Sequence, residues 1–399
     1  MTCLSETAVG GPELRYPIAT LNLADVKHNI AQLDRYCAEH GIVIAPHAKT
    51  TMIGRVLELL VEQPSTWGLT VADAQQGAVA VEAGARRILV ANQLVEPQDI
   101  AWASIHRTSG TEVLSFVDSP AGVAWLDRRL EQFEAGSRVP GRRHRVLLEV
   151  GYVGGRGGVR SWRDFDAVVD AVRNSRCLAL TGVAAFEGLL GGSATAPEVR
   201  GVDDFLRRLN IAAQRLVSMG GVAGSELIVS AGGSAYFDRV AEICGPAVNR
   251  LAGTLLLRSG CYAVHDHGLY ARTSPTGRTE VAPKLRPAAV LWARVQSRPE
   301  PGRVIVAAGR RHVPFDAGLP IPLGTRYRDG TAHHLPPGCQ VDALSDQHLH
   351  LQVPDACDLV VGDVLPFGVS HPCGLFDRWR EVVLVDADRN VTGVVAPRF

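Results

Sequence analysis

The 399 residues exceed what one ordinary domain needs, so a large domain with a smaller one is expected. Basic and acidic side chains balance at 41 each, which leaves no uniform field for nucleic acid or an anionic membrane and favours a small-molecule ligand. Eight cysteines thinly spread argue against a secreted disulfide framework, and with no basic-then-apolar leader and no apolar run of bilayer length a cytoplasmic protein is expected. In chain order, RYPIATLNLADVKHNIAQLDRYCAEHG reads as an extended segment and then a helix. Leu23, Val26, Ile30 and Leu33 stand at helical spacing, with Asp25 and Gly41 as punctuation. Short apolar runs follow at 42–45, 67–71, 87–91, 113–117, 145–150, 180–186, 226–230 and 253–257. Helical patterns such as DAQQGAVAVEAG separate most of them.

Eight strands alternating with helices predict an α/β fold, a (β/α)8 barrel over 17–285, with an open doubly wound sheet as the rival. Beyond about 285 the helical period fades. PAAVLWARVQSR, GRVIVAAG, GCQVDALSDQHLHLQV, DLVVGDVLPFGV and EVVLVDADRNVTGVVAP read as strands, giving a β-domain over 286–399 that can include strand 16–23. Segments 132–143, 191–201 and 298–303 read as exposed loops.

In a parallel barrel the residues past the C-terminal strand ends open on one face, where active sites are built. Lys49 follows the first strand, GYVGGRGG (151–158) the fifth, EGLLGG (187–192) the sixth, AGGSA (231–235) the seventh and RSGCY (258–262) the eighth. A lysine that condenses with an aldehyde must be neutral, and an apolar strand end favours that form. Pro46 and His47 fix its approach. The turn Gly232, Gly233 and Ser234 lets backbone N–H groups and a hydroxyl close on a phosphate. A lysine and a phosphate cradle on one rim point to pyridoxal 5'-phosphate (PLP). The glycines of 151–158 lack the G-x-G-x-x-G spacing of a dinucleotide loop, so Arg156 reads better as a cation facing the cofactor or substrate. Arg258 is a candidate for the pyridine nitrogen, with Gly260, Cys261 and Tyr262 as further cofactor contacts.

A second group lies in PFGVSHPCGLFDRW: His371 and Cys373 offer an imidazole and a thiolate suited to Zn2+. With no partnering C-x-x-C, such a zinc would keep open positions, which is the catalytic arrangement. His348 with His350, and His265 with His267, each alternate onto one face, where a structural role is the stronger reading.

With these residues in place the chain resembles the PLP enzymes of the alanine-racemase fold, in the branch of D-serine dehydratase, bacterial D-amino-acid deaminases and D-threonine aldolases. PHAKTTM is similar to the branch's cofactor-lysine motif, LLEVGYVGGRGGVR to its arginine turn, VAAFEG to the next strand end and VSAGGSAYF to its phosphate turn. SHPCGLFDRWREVVLVDADRNVTGVV resembles the D-serine dehydratase zinc segment. The resemblance implies Lys49 as the PLP-lysine, Arg156 beside the cofactor, Gly232, Gly233 and Ser234 around the phosphate, and His371 and Cys373 on zinc. Glu187, Tyr152 and Val153 depart from the pattern and bear on substrate choice. The implied reaction is β-elimination from a D-β-hydroxy amino acid, giving a 2-oxo acid and ammonia. The alternative is a metal-dependent D-threonine aldolase, with a racemase or a non-catalytic PLP-binding protein behind it. The resemblance also implies a homodimer and leaves open which subunit supplies the metal ligands.

Overall fold

Residues 144–150, HRVLLEV, show how the sequence makes the first sheet. Leu147 turns inward onto Leu89, Leu114, Phe116, Ile228 and Leu256, while Val146, Leu148 and Val150 turn outward onto the helices. Both faces are buried, so the strand reads as a continuous apolar run rather than an alternation. The computed structural model describes residues 8–134, 143–224, 226–279 and 282–399. After β1 (Ile18–Asn22) and α1 (Leu23–His40), eight strands follow: β2 (Val43–Ile44), β3 (Leu69–Val71), β4 (Arg87–Gln93), β5 (Glu112–Val117), β6 (His144–Val150), β7 (Leu178–Ala185), β8 (Ile228–Ala231) and β9 (Thr254–Leu257). All neighbours are parallel, in the order β2-β9-β8-β7-β6-β5-β4-β3. Parallel bridges Ile44–Thr66 and His47–Thr70 join β2 to the β3 side and close the ring. The fold is the expected (β/α)8 barrel, and each of the eight apolar runs supplies one strand.

The helices are α2 (Gly54–Val61), α3 (Ala74–Glu82), α4 (Pro97–Thr108), α5 (Pro120–Glu134), α6 (Trp162–Arg173), α7 (Ala196–Ser218) and α8 (Phe237–Arg250). Asn22 caps α1, accepting from the N–H groups of Ala24 and Asp25, and Gly41 ends it at φ +62°. The expected loop 191–201 is corrected: α7 starts at Ala196, with Thr195 and Glu198 forming a capping box. Residues 298–303 are the tip of a hairpin rather than a loop, and 135–142, like Cys3, lie outside the described residues.

Downstream lie α9 (Leu269–Thr273), α10 (Pro275–Arg278), β10 (Ala289–Glu300), β11 (Arg303–Val306), β12 (Ile321–Pro322), β13 (Thr325–Arg328), β14 (Thr331–His334), β15 (Gln340–Leu344), β16 (Leu349–Gln352), β17 (Val364–Gly368), β18 (Val382–Val385) and β19 (Val391–Val395). The long β10 shifts register past Val295: its first half pairs with β17 and β1, its second with β11. The N-terminal strand β1 therefore sits inside the C-terminal sheet, antiparallel to β10 and parallel to β18. Leu291, Val295, Val304, Leu351 and Phe367 form a core of their own. No described helix is long and apolar enough to cross a membrane.

Two backbone bonds tie this sheet to the barrel mouth. His267 N–H donates to the Val369 carbonyl and Leu269 N–H to that of Ser370, each at 2.9 Å. Gly268 permits the approach, because a Cβ there would stand 2.7 Å from Ser370 Cα. The segment that leaves β9 thus fixes the start of SHPC over the barrel.

Candidate active site

The strand ends of the barrel and the SHPC turn enclose one cavity of about 410 Å³. Lys49 lies on its wall, on a single 3₁₀ turn, Ala48–Thr50, that follows β2. Lys49 faces the cavity above a strand end whose Ile44 and Ala45 are buried. Beside it the His47 imidazole is kept neutral, well below its ordinary value, first by burial and then by the charges of Lys49, Arg258 and Arg156. Its Nδ1 has no hydrogen-bond partner.

Arg156 reaches the same cavity from the glycine loop after β6 and lies over the Phe186 ring, 5.2 Å from its centroid. Arg160 organises that loop, donating to the carbonyls of Gly155 and Arg156 at 2.9 Å. Arg258 is 6% exposed and donates to Ser230 Oγ and the Ala185 carbonyl at 2.6 Å. Burial pushes it down to about 10, partly offset by Glu187 and Glu149, so it remains a cation at neutral pH.

The turn after β8 brings Gly232, Gly233 and Ser234 to the cavity. Gly232 takes φ +100°, which a side chain tolerates poorly. Here the sequence expectation needs a correction. The N–H groups of Gly232 and Gly233 already donate to the Glu187 carboxylate, at 3.1 and 2.8 Å. Glu187 stands two residues past the neighbouring strand β7 and is fully buried, so its carboxyl oxygens need such donors. Ser234 Oγ, by contrast, is buried, faces the cavity and has no partner. Gly260 also lines the wall, where a Cβ would meet the His47 carbonyl at 2.5 Å. Tyr262 does not: it is 2% exposed and packs in the core, and its place among the cofactor contacts is withdrawn. Unpaired buried polar atoms, a glycine-walled turn, two cations and an amine fit PLP in kind.

The metal motif opens on the same cavity. His371 and Cys373 both line it, and Cys261 joins them. The two sulfurs are 3.1 Å apart, and one ligand atom from each of the three residues lies within 4.8 Å of the others. Thr50 Oγ1, next in sequence to Lys49, is 3.8 Å from the Cys261 sulfur and 3.7 Å from that of Cys373. His371 Nδ1 meets the Asp316 carboxylate at 2.6 Å, which leaves Nε2 as the ring nitrogen for ligation. The Cys373 thiol is drawn down to about 7, first by the bond with Cys261 and against burial, while that same bond, with burial, pushes Cys261 well up. Burial pulls His371 down, yet Cys261 and Asp316 outweigh it and hold it up at about 9. Two sulfurs and a ring nitrogen within 4.8 Å of one another are a donor set that suits a borderline-soft divalent ion.

Lysine and metal motif therefore meet within one chain. Sequence reasoning had placed Cys261 with the cofactor and had missed Asp316 and Tyr270, whose ring stands edge-on to His371 at 6.0 Å. Asp316 sits in an irregular loop without a motif, so no local signal marked it. His348 and His350 lie apart from the cavity, His350 bonding Ser345 Oγ at 3.1 Å. His265 and His267 are structural neighbours of the mouth and do not line it.

Comparison with known proteins agrees with this fold. Residues 21–240 match the family model "Alanine racemase, N-terminal domain" and residues 288–385 the model "Putative serine dehydratase domain". A D-threonine aldolase of Arthrobacter sp. is 24% identical over 92% of this chain and 88% of its own length. The crystal structure of D-threonine aldolase from Filomicrobium marinum superposes with a TM-score of 0.80 at 19% identity, covering 96% of this chain and 95% of that one. D-threo-3-hydroxyaspartate dehydratase from Delftia sp. HT23 superposes with a TM-score of 0.73 at 20% identity, covering 97% and 98%.

Proposed function

Because the chain belongs to the family of the alanine racemase N-terminal domain, we propose that it is a PLP- and zinc-dependent lyase acting on a D-β-hydroxy amino acid by β-elimination. One observation carries this reading: Lys49 and the group Cys261, His371 and Cys373 share a single cavity. The likeness of residues 288–385 to a serine dehydratase domain supports elimination in particular.

PLP bound here would supply the aldehyde that holds the substrate's amine and the ring that draws electrons from its α-carbon. A zinc ion on the sulfur–imidazole group would supply positive charge to the departing β-hydroxyl oxygen. Lys49 would hold the cofactor through its amine, and the same amine, when free, is the base placed to take the α-proton. Ser234 would offer its unpaired hydroxyl to the phosphate, and His47 would give the pocket a neutral polar wall. Arg258 stays a buried cation, so a pyridine nitrogen facing it would hold no proton. That weakens the ring as an electron sink and raises the value of charge at the leaving oxygen. A β-hydroxy amino acid fits because its α-proton and its leaving oxygen then have distinct partners, Lys49 and the sulfur–imidazole group, within one cavity.

The test is product identification. Purified protein is incubated with D- and L-serine, D- and L-threonine and D-3-hydroxyaspartate, with and without chelator. A 2-oxo acid and ammonia from a D-substrate, lost on chelation, is the expected result. Glycine and an aldehyde would establish the second reading, a D-threonine aldolase, which the likeness to the Arthrobacter enzyme favours. We also propose a homodimer: Val153, 90% exposed, and Leu189, 61% exposed, leave apolar surface on the loops that rim the cavity, and sedimentation analysis tests it.

A further inference from the structure

The turn SHPC supplies two metal donors, and two protein donors leave a divalent ion loosely held. The chain provides a third from elsewhere. Cys261 lies in the segment after β9, 112 residues from Cys373 in sequence, yet the two sulfurs stand 3.1 Å apart. Both belong with His371 to the one group of potential ligand atoms identified among the described residues.

We propose that Cys261 is a direct metal ligand, so that the site is a three-donor, two-sulfur zinc centre with one open position facing the substrate. This rests on reading the cavity as a metal-assisted lyase site. Three lines of geometry support it. Two zinc-bound sulfurs at about 2.3 Å in a tetrahedral arrangement stand roughly 3.8 Å apart. The observed pair needs only a small side-chain rotation to reach that separation. Next, the Asp316 carboxylate on His371 Nδ1 is the outer partner that fixes a ligating imidazole by its other nitrogen. Finally, Thr50 Oγ1 reaches both sulfurs, as a hydroxyl bonding two thiolates would.

The third donor changes the chemistry. Two thiolates and an imidazole select zinc over the harder magnesium and manganese, which prefer oxygen. Two thiolates also neutralise the ion's charge, so the centre acts on an uncharged hydroxyl rather than on a substrate's carboxylate. A fourth position stays free for that oxygen, as in zinc enzymes with three protein ligands.

X-ray absorption at the zinc edge counts sulfur neighbours without any need for turnover. The full-length holoprotein, kept reduced, is compared with Cys261→Ser and Cys261→Ala. Cys339→Ser, in the distant β-domain, is the control. The PLP absorbance of each variant reports that the barrel has folded. Two sulfurs at about 2.3 Å in the wild type and one in both Cys261 variants are expected. Zinc affinity in a chelator competition should fall at least about tenfold. One sulfur in every protein overturns the proposal, as does a reduced wild type that retains no zinc or carries a Cys261–Cys373 disulfide. A two-sulfur centre in a protein that eliminates nothing from any D-substrate upholds the ligand set and defeats only the reaction assigned above.

Discussion

Nδ1 of His371 and the carboxylate of Asp316 lie 2.6 Å apart, joining the SHPC turn to a loop 55 residues earlier. The bond fixes the ring's aim and favours a proton on Nδ1, which leaves Nε2 as the nitrogen that can ligate. Replacing Asp316 with asparagine should weaken zinc binding by about 10–100-fold with the PLP absorbance unchanged. Competition against a chromophoric chelator measures it, and wild-type affinity in the variant would refute an orienting role.

Lys49 and the sulfur pair should separate cleanly in experiment. Lys49→Ala removes the cofactor's covalent anchor, so both the PLP absorbance of the anchored form and turnover should vanish. Chelation of the wild type should abolish turnover and spare the absorbance. Full activity in metal-free protein would remove zinc from the reaction.

Glu187 satisfies two backbone donors with one buried charge. Glutamine keeps one acceptor and turns an N–H₂ towards the other donor. Glu187→Gln should therefore cost about 1–3 kcal/mol of stability. Denaturant unfolding checks this, and a loss below a few tenths of that range would show that the turn finds other acceptors.

A Cβ at Gly268 would strike Ser370 Cα. In Gly268→Ala the backbone of the metal turn must move away from the barrel while the cofactor side stays in place. We expect zinc affinity to fall at least about tenfold, as when a supporting contact is lost, with PLP binding preserved. Parallel loss of both would place the effect in the barrel instead.

Asp363 is fully buried between Arg326 and Arg328 and binds both. Burial would raise its carboxyl, but the Arg328 bond, the Val360 N–H and Arg326 together hold it below the usual aspartate range. A depressed folded pKa gives stability that is present above the unfolded value, about 3.9, and lost as pH falls through the folded one. Asp363→Asn should cost about 1.5–3 kcal/mol at neutral pH, because Arg328 loses its charged partner while Arg326 keeps the Asp358 carboxylate. The deficit should shrink in acid, and unfolding curves at pH 7 and pH 3 would show it; an equal deficit at both would mean the charge contributes nothing.

The barrel was legible because its strands are apolar on both faces and five of the eight are followed by an unusual residue or turn. Lys49, Arg156, Ser234 and Arg258 could be placed on one mouth from strand order alone. The start of α7 was missed because Ala196, Pro197 and Gly201 read as loop, although Thr195 and Glu198 carried the cap in plain sight. Cys261 was placed at the mouth, but its approach to Cys373 was not foreseen. Its sulfur meets Cys373 only because 267–269 pairs with 369–370, a long-range register that no local pattern encodes. The same holds for Glu187, whose burial under the glycine turn is a property of adjacent strands rather than of its own neighbours.

The embedding of β1 between β10 and β18 has a consequence for biosynthesis. The strand that leaves the ribosome early has no sheet to join until residues 289–385 emerge, on the order of tens of seconds later at ordinary elongation speeds. Until then its edges are bare, and the nascent barrel has no lid. Because those late residues also bring His371 and Cys373, a chain stalled before them could acquire coenzyme without acquiring reactivity. Sequence order thus brings the candidate metal donors of SHPC out well after the last barrel strand.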